Sequence, residues 1–400
     1  MEHVAGFFAE SADTKYGGFL EDWRDGRFYD RGEKYLVLQA RHIWTFDMLS
    51  NEPGDRWAQL ADQGIAFLNA HFLDKTHGGY YSSCSSSGEP VDTRKYLYLQ
   101  SFALFALSRH ALRTRRSEDL ALAFKQFRTL EKRARDRWHG GYEELFASDW
   151  TPLTDKAKHR HGLATGRRSM NAHIHLFEAY SELYLASEDR RVGARVDALG
   201  KLIMSRFRRK EYAQFIDVLD QRWRPLKDGP APLASYGHDL ETAWLLMTAA
   251  EARNKLNHKL YAQLEEIAKT NLRLGEDPIA GGVSAGGPFG APSTDPKRIW
   301  WVQAEALVAF LMFFRRSNDK KWWDAFLRTL NVIRSDFCAP DGGIYAEVGP
   351  DGAIIDPARA SCWQGGYHMA RALMFCADNL KEMSLQNSTG IHSGGDPALP

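Results

Sequence analysis

The chain is poor in cysteine: four in 400 residues (Cys84, Cys338, Cys362 and Cys376), with no Cys-x-x-Cys pair. This argues against a disulfide-stapled scaffold and a cysteine zinc site, and the thiols read as reduced ones in a reducing compartment. Net charge is nearly absent, since 52 basic and 51 acidic side chains leave +1. Nothing in that balance points to a polyanion, so no nucleic-acid partner is expected. The short basic runs at 113–116 and 206–210 read as solvated helix ends. Long apolar runs are missing too. No window reaches the roughly 18 residues a membrane span needs, and the first residues lack a charged stretch followed by an apolar one. The expectation is a cytoplasmic protein with no membrane contact.

Aromatic residues are abundant, with 12 Trp, 15 Tyr and 22 Phe. Most must be core, but tryptophans beside turns suit a sugar-stacking pocket. Glycine doublets followed by an apolar or aromatic residue recur as Gly17-Gly18-Phe19, Gly78-Gly79-Tyr80, Gly140-Gly141-Tyr142, Gly281-Gly282-Val283 and Gly342-Gly343-Ile344. Their spacing is 61 or 62 residues except for one double gap, which Tyr212-Ala213-Gln214-Phe215 fills as a weaker copy. Each doublet leads through turn residues into a helix that opens on polar residues and continues apolar on most sides, the mark of a buried helix. A more charged, amphipathic second helix follows.

Six such pairs predict an all-α (α/α)6 barrel, a single domain over 1–385 with short β-hairpins or loops over one mouth. The Ser, Gly, Asp and Pro-rich tail 386–400 is expected to be disordered. If the inner helices run parallel, their first turns converge. Arg41, Gln100, Asn171, His175, His238, Glu241, Gln303, Glu305 and His368 would then line one pocket. The Gly-rich stretch at 280–298 is either a lid over that mouth or a flexible surface loop.

Several of these residues suit proton transfer. His238 and Glu241 are three apart and share a helix face, so the carboxylate is expected to orient the imidazole and raise its basicity. Asn171 and His175 share a face, whereas His173 diverges from His175 by about 200° and is expected to pack. The histidine pair also makes a poor metal site. Glu305 could instead cap its helix. Of the adjacent Trp300 and Trp301, at most one can stack on a sugar.

The stretches 38–46, 171–180, 236–241, 300–305 and 363–368 resemble the N-acylglucosamine 2-epimerase superfamily, in that family's order and across residues 17–375. The resemblance implies an (α/α)6 barrel acting at C2 of an unmodified aldose, with no metal and no redox cofactor. It implies an acid/base pair at His238 and His368, and a ring-opening or substrate-binding histidine at His175. Arg41, Tyr98, Asn171, Glu241, Trp301 and Trp363 match substrate-contacting or supporting positions. Removing a proton beside a carbonyl makes an enediolate, which needs a base and a cation near the oxygen. Arg41 cannot lose its charge and would serve there. Inversion needs protonation from the opposite face, hence two histidines.

The expected partner is a small sugar, glucose or mannose, free or at the reducing end of a β-1,4 disaccharide such as cellobiose. The enzyme is expected to be a monomer or homodimer. Within the family the alternative is aldose–ketose isomerisation, with the proton returned to C1; the Asn-Ala-His-Ile-His form at 171–175 looks closer to the 2-epimerases. A glycoside hydrolase would need two carboxylates across the scissile bond, and would leave the histidines unexplained. A sugar-binding scaffold without turnover would not explain titratable residues at every helix mouth.

Overall fold

The computed structural model describes residues 2–154, 165–227 and 233–388. Six inner helices form a closed ring: α2 (Leu36–Leu49), α4 (Leu97–Thr114), α6 (Met170–Ser187), α8 (Tyr236–Ala252), α10 (Trp300–Ser317) and α12 (Tyr367–Ser388). Each packs on the next, and α12 returns to α2. The outer layer is α1 (Glu2–Ala9), α3 (Arg56–Phe67), α5 (Ser117–Arg133), α7 (Arg190–Leu202), α9 (His258–Gly275) and α11 (Lys320–Val332). This is the expected (α/α)6 barrel. No described helix is long and apolar enough to cross a membrane, and none of the four cysteines is disulfide-bonded.

The two layers differ as their sequences require. From Trp300 to Phe313, α10 is buried at every position except Trp301. On α11 the buried residues are Trp322, Ala325, Phe326, Thr329 and Val332, a single stripe at helical spacing. Three outer helices end in a wider π turn, at Leu68–Phe72, Ile203–Phe207 and Ile333–Phe337.

The sixth pair departs from the expected order. No outer helix follows α12 among the described residues; α1, at the start of the chain, packs on it instead. Phe7 of α1 lies against Gly342 and Gly343 as Phe67 of α3 lies against Gly17 and Gly18. The ring therefore closes by joining the two ends of the chain. Helix α12 also runs on to Ser388, past the expected start of the disordered tail at Gln386, and 389–400 lie outside the described residues.

One device repeats around the rim. The backbone N–H of Phe19 donates to Gln39 Oε1, and Gln39 Nε2 donates back to the Phe19 carbonyl, each at 2.8 Å. Gln100 does the same for Tyr80 and Gln303 for Val283. His173 accepts from the Tyr142 N–H, Asp239 from the Phe215 N–H, and Gln364 donates to the Ile344 carbonyl. The first five copies thus clamp their hairpins onto their own inner helices, and the sixth uses Gln364, three residues before α12. The glycines follow from this geometry: Gly79 sits at φ 75°, and a Cβ there would lie 2.8 Å from Gln100 Oε1. In the fourth copy Ala213 takes the positive φ, 50°, and the shorter Asp239 replaces glutamine.

Neighbouring copies interlock as well. The first N–H of α2, α4, α6, α8 and α10 donates to the carbonyl of Ser82, Glu144, Asp217, Ala285 and Ala346 respectively, each on the next hairpin. Donors that a helix start leaves unpaired are thereby satisfied by the adjacent unit. All these helix starts face one mouth.

Candidate active site

Most of the candidate site residues stand two positions from a clamp, and they differ from copy to copy. From α2 comes Arg41, whose Nη2 donates to Tyr98 Oη (2.7 Å) and Nη1 to the Trp363 carbonyl (2.9 Å). Its guanidinium lies 4.4 Å from the Phe102 ring centroid and 5.0 Å from that of Tyr367. From α4 comes Tyr98, edge-on to His175 at 5.2 Å. Helix α6 supplies Asn171, whose Oδ1 is buried without a hydrogen-bond partner among the described residues. One turn on is His175, whose Nδ1 lies 3.0 Å from Glu178 Oε2. Trp363, 40% exposed, forms the outer edge.

His238 and His368 both rest against the Trp301 ring, at centroid distances of 4.9 and 5.7 Å. They therefore flank one space at the mouth. Trp300 packs edge-on to His368 from the wall side. Each imidazole has its own carboxylate. His368 Nδ1 is 2.6 Å from Glu305 Oε1, and His238 Nδ1 is 3.3 Å from Asp217 Oδ1. With Nδ1 engaged, Nε2 is the atom each ring can present to a ligand.

Beneath the histidines lies a buried ionic network. Arg371 donates through Nη2 to Glu241 Oε1 (2.9 Å) and Glu305 Oε1 (2.7 Å), and through Nη1 to Glu178 and Tyr367. Tyr367 Oη donates to Glu178 at 2.6 Å, and Trp244 Nε1 to Glu305 Oε2 at 2.8 Å. His175 is thus linked to His368 through Glu178, Arg371 and Glu305. Ligand atoms of Glu241, Glu305 and His368 lie within 4.8 Å of one another, close enough to hold a cation. Arg371 already supplies positive charge there, and His368 Nδ1 is occupied by Glu305.

The two imidazoles are held in opposite charge states. Burial disfavours the cation of His238, but the Asp217 charge and hydrogen bond outweigh it and raise the pKa to about 9. Burial dominates at His368 and lowers it to about 3 despite Glu305, with Arg41 and Arg371 adding to the effect. At neutral pH the site therefore holds one protonated and one neutral histidine, the division that acid and base roles require. His175 is also lowered to about 3, chiefly by burial.

Several sequence expectations are corrected by this geometry. Gln100 and Gln303 do not line the pocket; they are clamps. His173 is a clamp as well, as its divergence from His175 suggested. Glu241 does not orient His238: it pairs with Arg371, and Asp217 takes that place. Glu305 neither caps its helix nor faces the pocket as a simple sugar ligand; it holds His368. The Gly-rich stretch is tied into the rim, where Gly286–Pro288 pairs antiparallel with Leu233–Ser235 and Arg298–Ile299 with Glu347–Val348. Arg371 and Glu178 went unassigned, although each lies three residues after a pocket histidine, on the same helix face.

A largely apolar cavity lies toward the opposite end, among Trp44, Phe105, Trp244 and Phe375. It contains none of the histidines.

Comparison with known proteins follows the same lines. The sequence model of the N-acylglucosamine 2-epimerase family matches residues 17–372. A cellobiose 2-epimerase of Dictyoglomus turgidum is 31% identical over 82% of each chain. The solved cellobiose 2-epimerase of Spirochaeta thermophila superposes with a TM-score of 0.86 at 28% identity, over 96% of this chain and 95% of that one. A D-mannose isomerase of Marinomonas mediterranea is 22% identical over 96% of each chain. Fold and relatives define an enzyme of the isomerase class, of the carbohydrate-epimerase type. The chain belongs to the N-acylglucosamine 2-epimerase family.

Proposed function

We propose that the enzyme inverts C2 of an unmodified aldose, glucose or mannose, either free or as the reducing end of a β-1,4 disaccharide such as cellobiose. One observation carries the reading: two imidazoles flank a single tryptophan at the mouth, each on its own carboxylate, one charged and one neutral. The open-chain sugar lies over Trp301, with Arg41, Tyr98, Asn171 and Trp363 around it. His368 Nε2 takes the C2 proton, and the electron pair moves into an enediolate whose oxygen faces the permanent charge of Arg41. His238 then delivers its proton to the other face of C2. One proton enters and one leaves, and the reverse reaction starts from the exchanged charge state. His175, neutral and fixed by Glu178, serves ring opening.

The relatives support C2 chemistry on a disaccharide, since the 31% and 28% identical proteins are cellobiose 2-epimerases. The test is to offer cellobiose, glucose, mannose and N-acetylglucosamine and follow the anomeric signals by NMR. C2 epimers are expected from one or more of the first three. A ketose as main product would overturn the epimerase reading in favour of isomerisation.

A further inference from the structure

We propose that Asp217 is a positioning residue for His238: it binds Nδ1, fixes the ring against Trp301 and holds that imidazole as the proton-carrying member of the pair. The proposal rests on the two-histidine reading above.

Asp217 stands at a defined step of the repeat, two residues after the hairpin aromatic. Acids occupy that step in three copies, as Glu21, Glu144 and Asp217. In the first and third copies the carboxylate binds the residue just before the inner helix of its own unit: Glu21 accepts from the Tyr35 N–H, and Glu144 from the N–H and hydroxyl of Ser169. The fourth copy departs from this. There Ser235 caps α8 just as Ser169 caps α6, accepting from the His238 N–H, but the carboxylate of Asp217 goes to the imidazole. Its backbone keeps the general role, since the Asp217 carbonyl accepts the first N–H of α6 at 2.7 Å. A single residue thus joins the start of the helix bearing His175 to the side chain of His238.

The surroundings leave this function to Asp217. The charged and titratable groups facing His238 are Asp217, Glu241, Asp239 and His175. Glu241 is bonded to Arg371, and Asp239 to the Phe215 N–H and Asn271. Only Asp217, among these, touches the ring nitrogen. The contrast with His368 is informative. Its carboxylate, Glu305, is fully buried and shared with Arg371 and Trp244, whereas the Asp217 side chain is 35% exposed and serves His238. A carboxylate bound to the ring favours the imidazolium, and the part-exposed His238 side chain can exchange its proton with solvent between turnovers.

The test reads His238 directly. NMR titration of its imidazole is recorded on the sugar-free wild type, Asp217→Asn and Asp217→Glu, alongside the pH dependence of kcat/KM. Asp217→Asn is expected to lower the His238 pKa by at least about one unit and to move the alkaline limb of kcat/KM down by the same amount, with Tm little changed. Asp217→Glu is expected to restore most of both. An unshifted His238 titration in Asp217→Asn would overturn the proposal, as would a glutamate variant that behaves like asparagine. Because the titration needs no substrate, it remains decisive even if the sugar reaction proves to be a different one.

Discussion

In the first five copies clamp and pocket residues leave the same turn of an inner helix, two positions apart, yet they obey different rules. Gln39, Gln100, His173, Asp239, Gln303 and Gln364 face the hairpins and all perform one task, binding the backbone of the aromatic or apolar residue behind the glycines. Two residues later stand Arg41, Phe102, His175, Glu241 and Glu305, and of these only the fourth and fifth copies agree. The clamps satisfy a geometric demand that recurs in every unit, so the repeat persists there. The pocket faces a single asymmetric substrate, so the repeat is lost. His173 and His175 show the contrast most economically: the same residue type, on one helix, is a hairpin clamp at the first position and a pocket residue held by Glu178 at the second.

The comparison can be broken at its strongest point first. His238→Ala or His368→Ala is expected to cut kcat by about 10²–10⁴-fold with an unchanged thermal melt; retained activity in either variant removes that residue from the pair. Arg371→Met comes next. It leaves Glu178, Glu241 and Glu305 buried without their shared cation, so a stability loss of about 3–5 kcal/mol is expected by denaturant unfolding, together with loss of activity.

The pH profile sharpens the contrast between the two histidines. His238 must carry its proton, which it loses as pH rises through about 9, so kcat/KM falls above that point. His368 must be neutral, and its lowered pKa of about 3 keeps it so well below pH 6. A plateau across neutrality with an alkaline limb near 9 is expected; a limb near 6.5 would show that the two rings share one environment. The smallest effect belongs to the rim. Gln303→Ala breaks two buried hydrogen bonds to Val283 and is expected to cost about 1–3 kcal/mol while sparing kcat. His173→Ala should behave like Gln303→Ala, and His175→Ala should lose activity with its stability intact.

The barrel was legible because glycine doublets at a fixed period report a backbone requirement that few other residues meet. The pocket was legible to the extent that helical spacing placed His175 beside Asn171, and His238 and His368 at a common mouth. Spacing could not separate Gln100 and Gln303 from true pocket residues, since both classes are polar and occupy the same turn; only the position of the hairpin decides which face is which. Asp217 was hidden for a different reason. It reaches His238 across 21 residues of hairpin and loop, and its signal is the acid at the same step as Glu21 and Glu144, visible only once the copies are aligned. The sixth outer helix was missed because ring closure needs no continuity in sequence, and α1 fills the gap from the far end of the chain.

The most direct test of the two-imidazole account is a single turnover in D2O, with the label at each sugar carbon read by NMR or mass spectrometry. Because the proton removed from C2 goes to one histidine and its replacement comes from another already equilibrated with solvent, the account predicts an inverted sugar carrying one deuterium at C2 and none at C1. Inversion with the original hydrogen retained at C2, or label appearing at C1 of a ketose, would contradict it.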